Sequence, residues 1–449
     1  MNANSLLRYS FQFSVLMTLA SMAQPLEGAD VWPQFRGPGG QGHSTTTGLP
    51  LHWSEQDNIC WKSPLPGRGW SSPVVADGSV WLTTAVESAA SESQRNARVA
   101  GRPMALELEV AQSITLLALE VDLTSGRVMR NIELGQVESP QAIHTLNSYA
   151  SPTPVLENGR LYCHFGAFGT ACVDASTGRV VWHRTISLDH KVGPGSSPVL
   201  YQQLLILTCD GADQQYILAL NKSTGDTVWR TERPPLRTDE GDYKKSFSTP
   251  LVIRVAGQDQ LVVPGAQWFV AYHPTTGQEI WRFDHGNGFS LAPRPVYDGD
   301  RLFLCTGYMR KQLWAVRPDG LGDISGDEHT AWKETKRQMP TMASPLLVDD
   351  RLLIINDQGI AISFDTVTGK QLWRKRIAGK YSASPLHANG RIYLCNQAGR
   401  TTVLSDDDFH VMAENDLDGQ IMASLAVLDD GDLLLRTDTH LYRIEGPNP

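Results

Sequence analysis

The chain has 449 residues and a formal net charge of −9, with 48 Asp and Glu against 39 Lys and Arg. An acidic balance excludes a nucleic-acid partner, which needs a basic footprint, and argues against tight adhesion to anionic lipid heads. The length alone suggests two or three domains, unless small units repeat around a ring to build one body.

Residues 1–23 read as a secretory signal peptide: Arg8 supplies the positive charge, residues 11–20 the apolar stretch, and Ser21-Met22-Ala23 the small residues at the cleavage site. No cysteine follows to carry a lipid, and no later segment is apolar for long enough to cross a membrane. The mature chain is therefore expected in the periplasm or secreted, with no membrane span. Residues 24–56 form an N-terminal extension, and residues 57–449 form the repeat domain.

A strand-opening motif recurs through that domain. It reads Ser-Ser-Pro-Val at 71–74 and 196–199, Thr-Pro-Val at 153–155, Ser-Thr-Pro-Leu at 248–251, Arg-Pro-Val at 294–296, and Ser-Pro-Leu at 344–346 and 384–386. In six of these seven copies an apolar residue opens a second strand seven positions after the proline: Val80, Leu161, Leu205, Leu302, Leu352 and Ile392. In an eighth copy Ala426 takes the place of the proline, with Leu433 at the same offset.

Further along each unit, Thr-Gly precedes a tryptophan at constant spacing: Gly178 and Trp182, Gly225 and Trp229, Gly277 and Trp281, Gly369 and Trp373. Thr-Gly is a hairpin turn in which Gly takes a positive φ, and the Trp then lies on an outer strand where it packs between units. Four strands per unit of 40–50 residues define an all-β, eight-bladed β-propeller of four-stranded blades. Seven blades is the alternative if one irregular unit is not a blade. The last unit lacks its Trp strand, and residues 58–62 around Trp61 look like that strand, so the N-terminus closes the ring.

Six cysteines match no zinc spacing. A hairpin centred on residues 166–169 sets Cys163 and Cys172 opposite each other, and export permits a bridge there, with two buried thiols as the alternative. The first unit carries an insertion, about residues 85–112, whose helix formers at 89–100 point to a helical lid or docking arm, with disordered decoration as the alternative.

The Ser-Pro openers and Thr-Gly…Trp units resemble the PQQ-like (pyrroloquinoline quinone) repeat superfamily, which includes quinoprotein alcohol dehydrogenases and the outer-membrane assembly scaffold BamB. The segments Trp32-Pro33-Gln34-Phe35-Arg36-Gly37-Pro38 and 66–73, with the ending 441–444, resemble the exported propellers of planctomycete-type bacteria. The resemblance covers nearly the whole mature chain and implies the fold more sharply than a function. Two features depart from it: the dehydrogenases carry adjacent bridged cysteines, absent here, and BamB carries a lipidation cysteine, also absent.

In a propeller, one face gathers the loops leading into each innermost strand and those joining the second strand to the third, and ligands bind at that mouth. The candidates so placed are Arg68, Trp70, His144, Asn147, His190, Lys191, Lys245 and Arg294 from the first set of loops. Asp210, Asp213, Trp268, Arg310, Asn356 and Asp357 come from the second. Arg294 stands where its repeat partners carry mostly Ser or Thr, and a repeat position that breaks its own rule is a functional suspect. No nucleotide-binding loop, metalloprotease motif or nucleophile elbow is present. The expectation is a monomeric, non-catalytic scaffold that binds a periplasmic protein, or an anionic small ligand or glycan. The alternatives are a quinoprotein oxidoreductase using PQQ with Ca2+, and a polysaccharide-active enzyme.

Overall fold

The computed structural model describes residues 32–337 and 339–446. The signal peptide expected at 1–23 lies outside the described residues. Each repeat folds into a four-stranded antiparallel blade. Blade 1 runs outward from the axis as Val74–Ala76, Ser79–Ala89, Ala111–Asp122 and Val128–Glu138. Blades 2 to 7 occupy residues 155–184, 199–232, 251–284, 296–334, 346–376 and 386–416. Blade 8 consists of Ala426–Val427, Leu433–Arg436 and His440–Ile444, completed by the N-terminal strand Ile59–Pro64, which pairs Trp61 with Arg443. The blade count is eight. The N-terminal strand completes blade 8 beside the C-terminal strand, so the termini secure each other.

Apolar residues alternate along the strands and meet their counterparts from the next blade. Leu161 and Cys163 of blade 2 pack with Trp81 and Leu116 of blade 1, and Leu205 and Leu207 of blade 3 pack with Tyr162 and Cys172 of blade 2. The tryptophans couple blades through a specific contact. Trp182, Trp229 and Trp332 lie against Gly225, Gly277 and Gly369 of the following blade, so closely that a Cβ on those glycines would fall 2.5–2.8 Å from the indole. The same glycines sit at φ of 69–78°, so both the turn and the approaching ring require glycine. Trp182 and Trp332 also donate their indole N–H to Lys222 O (3.0 Å) and Thr366 O (2.8 Å) of that neighbouring turn. Trp61 does the same across the closure, packing on Gly126 and donating to Leu123 O at 3.0 Å. Blade 1 has Arg130 in the tryptophan's place, with its guanidinium against Gly178 and hydrogen-bonded to Ser176 O.

One open alternative is decided and one sequence expectation is corrected. Cys172 pairs with Tyr162 and Cys163 with Ala171, so the two cysteines project to opposite faces of their sheet, and both are free and buried. They belong to different inter-blade cores, and no bridge joins them. In blade 8 the register pairs Ala426 with Leu434 and Val427 with Leu433. Leu425, not Ala426, therefore takes the proline position, and the turn after the innermost strand is one residue longer.

Residues 32–53 form a strap that crosses the inner edges of the blades before the closing strand begins. Trp32 pairs with Val75 of blade 1, Pro33 O accepts from Leu156 N of blade 2, and Gln41 Oε1 accepts from Tyr297 N of blade 5. His43–Ser44 then runs parallel to Leu386–Ala388 of blade 7. The insertion of blade 1 is an ordered arm. Its helix Glu92–Val99 begins with a capping box of Ser91 and Gln94, and Val99 packs on Leu108 and Ala142. Arg95 and Arg98 tie it down by donating to the carbonyls of Ala105 and Ala111 (3.0 and 2.8 Å).

Candidate functional site

Around the axis, the residue before each innermost-strand proline forms a hydrogen-bonded ring. Ser72 N donates to Thr153 Oγ1, Thr153 N to Ser197 Oγ, and Ser197 N to Thr249 Oγ1, at 2.9–3.0 Å. On the other side, Arg294 N donates to Ser344 Oγ, Ser344 N to Ser384 Oγ, Ser384 N to Ser424 Oγ, and Ser424 N back to Ser72 Oγ, each at 3.0 Å. This explains why the openers carry Ser or Thr: the hydroxyl caps the amide of the preceding blade. Arg294 replaces one hydroxyl, and its guanidinium donates instead to Pro250 O (3.0 Å) and, from the strap, Phe35 O (2.9 Å).

The ring surrounds an axial cavity of about 160 Å³, lined by the hydroxyl residues, Trp70 and Phe35. Leu146, Asn147, Phe247 and Met342 line both this cavity and a larger cleft of about 840 Å³, so the axial cavity adjoins the cleft. The cleft lies between the arm of blade 1 and the loops leading into blades 2 to 6. One wall is a run of aromatic rings, with Tyr243 and Phe289 4.9 Å apart and Phe289 and Tyr308 6.3 Å apart. Its rim is apolar and exposed: Met104 is 53% accessible, and the flanking Leu106 and Met309 are 90% and 68% accessible.

Of the candidates read from sequence, His144, Asn147, Lys191 and Lys245 meet in this cleft, and Trp70 lines the axial cavity. Their polar atoms are largely engaged. His144 Nε2 faces Glu107 Oε2 at 3.0 Å while its Nδ1 accepts from Leu146 N, so neither nitrogen is free to take a proton from a substrate. Asn147 donates to Val192 O and Pro194 O. Lys191 pairs with Asp189 at 2.8 Å and Lys245 with Asp242 at 2.7 Å, and burial pulls the Lys245 ammonium below the usual lysine range.

The remaining candidates lie elsewhere and hold loops together. His190 accepts from Ala167 N at 2.8 Å, and burial brings its imidazole down to about 4. Asp213 accepts from Asp189 N. Asn356 caps its own turn by accepting from Gln358 N and Ile360 N. Asp357 binds Thr341 and Lys311. Arg68 pairs with Glu87 and Glu109. Trp268 donates to Pro235 O beneath Arg237, and Arg310 is exposed on the loop after Tyr308. Asp210 is buried beside Arg233 at 3.4 Å, and burial raises its carboxyl to about 6 despite that partner.

The sequence candidates, mostly polar, do not include Met104, Tyr243, Phe289 and Tyr308, which line the cleft. The available signal was large apolar residues in loops otherwise built from Gly, Pro and polar residues.

These features define an eight-bladed propeller with one deep cleft on its loop-bearing face. Residues 44–231, 118–266 and 311–421 match the family model described as outer membrane protein assembly factor BamB, and the chain belongs to that family. Among solved structures, BamB from Moraxella catarrhalis superposes with a TM-score of 0.53 at 14% identity, covering 75% of this chain and 100% of that one. The quinohemoprotein alcohol dehydrogenase from Comamonas testosteroni superposes with a TM-score of 0.60 at 12% identity, covering 94% and 81%. At such identities the likeness is one of fold. Among curated proteins, the tetrathionate hydrolase of Acidithiobacillus ferrooxidans is 24% identical over 258 residues, 54% of this chain. The match spans about half that relative's length, 49%.

Proposed function

We propose that the protein is a non-catalytic binding scaffold, acting in the periplasm or outside the cell, that docks an extended polypeptide segment in the 840 Å³ cleft. The observation that carries this reading is the set of exposed apolar side chains Met104, Tyr243 and Tyr308 with the Phe289 ring, supplied to one cleft by loops of separate blades. Exposed apolar side chains gathered at a concave site mark an interaction surface. Rigid aromatic side chains are the usual anchors of such surfaces, because they bury area at little entropic cost. Membership of the BamB family agrees with a protein partner.

The quinoprotein alternative needs a tricarboxylate quinone and its Ca2+. Among the described residues no group of three or more His, Cys, Asp or Glu side chains converges to hold a metal ion. The axial cavity is ringed by hydroxyl, Met and Phe residues and contains no carboxylate. The residues present supply no ligands there for the Ca2+ of that pair.

The test is selection from a random-peptide library on the wild-type chain, with counter-selection on Tyr243→Ala and Phe289→Ala. The expected result is one enriched sequence family whose affinity falls at least tenfold in either variant. That loss corresponds to about 1.4 kcal/mol for each anchor. No enrichment, or enriched peptides indifferent to both substitutions, would overturn the reading.

A further inference from the structure

Three arginines around the axis carry buried charge without a counter-charge. Arg36, Arg294 and Arg436 are each at most 2% exposed, and among the described residues none lies within ion-pair distance of a carboxylate. Arg36 donates to Gln41 O and Pro345 O (both 2.8 Å), leaving its Nε and second terminal nitrogen without partners. Arg294 reaches Phe35 O, and Arg436 donates to Ser71 Oγ (2.6 Å) and Thr83 O (2.9 Å). Burial draws all three guanidinium groups below their ordinary range, to about 9, 10 and 9, with Arg294 adding to the effect on Arg36. Buried charges in proteins are ordinarily paired; here the partners are carbonyls and, for Arg436, the Ser71 hydroxyl, and Arg36 and Arg294 lie close enough to act on each other.

The three arginines do not line the axial cavity but lie directly behind residues that do. Phe35, next to Arg36 and bonded to Arg294, lines it; so do Trp70 and Ser72, which flank the Ser71 held by Arg436. The hydroxyl oxygens of Ser72, Thr153, Ser197, Thr249 and Ser424 are occupied as acceptors of the ring's amides, and each hydroxyl retains its O–H to donate. Trp70 also has a buried indole N–H without a partner. The cavity thus presents hydroxyl donors with the uncompensated charge of Arg36 and Arg294 behind its Phe35 wall, and its volume of about 160 Å³ has room for a carboxylate together with bound water.

We infer that the axial cavity is an oxyanion site that receives the C-terminal carboxylate of the polypeptide docked in the cleft. The cleft supplies the wall for the last residues of the segment, and because Leu146, Asn147, Phe247 and Met342 line both spaces, a segment docked there can set its terminal carboxylate in the adjoining cavity. The carboxylate assignment rests on the polypeptide reading above; the anion site does not.

The experiment has two arms that separate those claims. Crystals of the full mature chain in which bromide replaces chloride are expected to show an anomalous peak in the axial cavity. The peak should be lost in Thr153→Val and in Arg294→Met; Thr153→Val keeps the shape of the ring should the arginine variant fold poorly. A wild-type cavity holding water alone overturns the anion site. A bromide peak unchanged in both variants marks an adventitious ion only and equally overturns it. In the second arm, peptides selected on the cleft are compared as free acids and C-terminal amides. Amidation is expected to weaken binding at least tenfold, and equal binding would overturn the chain-end assignment, leaving an internal acidic side chain as the occupant.

Discussion

A Cβ on Gly277 would lie 2.5 Å from the Trp229 ring, and its φ of 71° adds backbone strain for any other residue. Gly277→Ala should therefore destabilise the chain by about 3 kcal/mol, combining overpacking with the left-handed penalty. Urea unfolding measures it, and a loss under about 1 kcal/mol would show that the Trp–Gly contact yields easily. The cysteines make a second check. Only Cys60 is exposed; partial burial and the neighbouring Asp432 raise its thiol to about 11. Thiol labelling of the native protein should modify one cysteine, slowly, and unfolding without reductant should release all six. A recovered Cys163–Cys172 peptide would contradict the register. At this scale the repeat made structural residues legible: the Thr-Gly…Trp spacing and the anomaly of Arg294 both have direct physical counterparts. The polar candidates were less legible, because sequence does not tell a loop residue that faces a ligand from one, like Asn356, that caps its own turn.

Loops and strands carry the pH response. His164, His190 and His285 are buried, and desolvation is the main cause that lowers them to about 3, 4 and 4. A histidine whose folded pKa is depressed binds fewer protons than in the unfolded chain, so its contribution is present above about 6.5 and lost as pH falls toward the folded value. Each histidine should cost about 2 kcal/mol between pH 6.5 and 5. Asp210, raised to about 6 by burial, acts in the opposite sense over that window. The net expectation is a fall of a few kcal/mol, read from urea midpoints at the two pH values, and His285→Gln should flatten the slope. A flat or rising profile would contradict the burial of these imidazoles. At the level of elements, strand order was readable from proline and apolar spacing. The one-residue slip in blade 8 was not, because Leu425 carries neither the proline nor a β-branch to mark the position; the strand register and the Ser424 hydroxyl bond to the ring identify it.

In the whole molecule, stability depends on closing the ring. A chain beginning at Gly67 lacks Ile59–Pro64 and should leave blade 8 with an unpaired edge and Gly126 without its Trp61. It is expected to aggregate, whereas a chain beginning at Asp57 keeps the closing strand and should fold with a lowered melting temperature from loss of the strap. Equal behaviour of the two by circular dichroism would contradict this division of roles. Eight blades and N-terminal closure were legible because repetition writes the same turn chemistry many times over. The cleft was not, because it forms where loops of separate blades, far apart in sequence, converge beside a single inserted arm. The most direct test of the central claim is amide hydrogen exchange with and without a selected peptide. The account predicts slowed exchange confined to the cleft loops at 101–108, 144–147, 191–195, 240–247, 289–292 and 341–342 and around Tyr308. Protection on the outer strands Thr227–Glu232 or Gln371–Arg376 instead would contradict it.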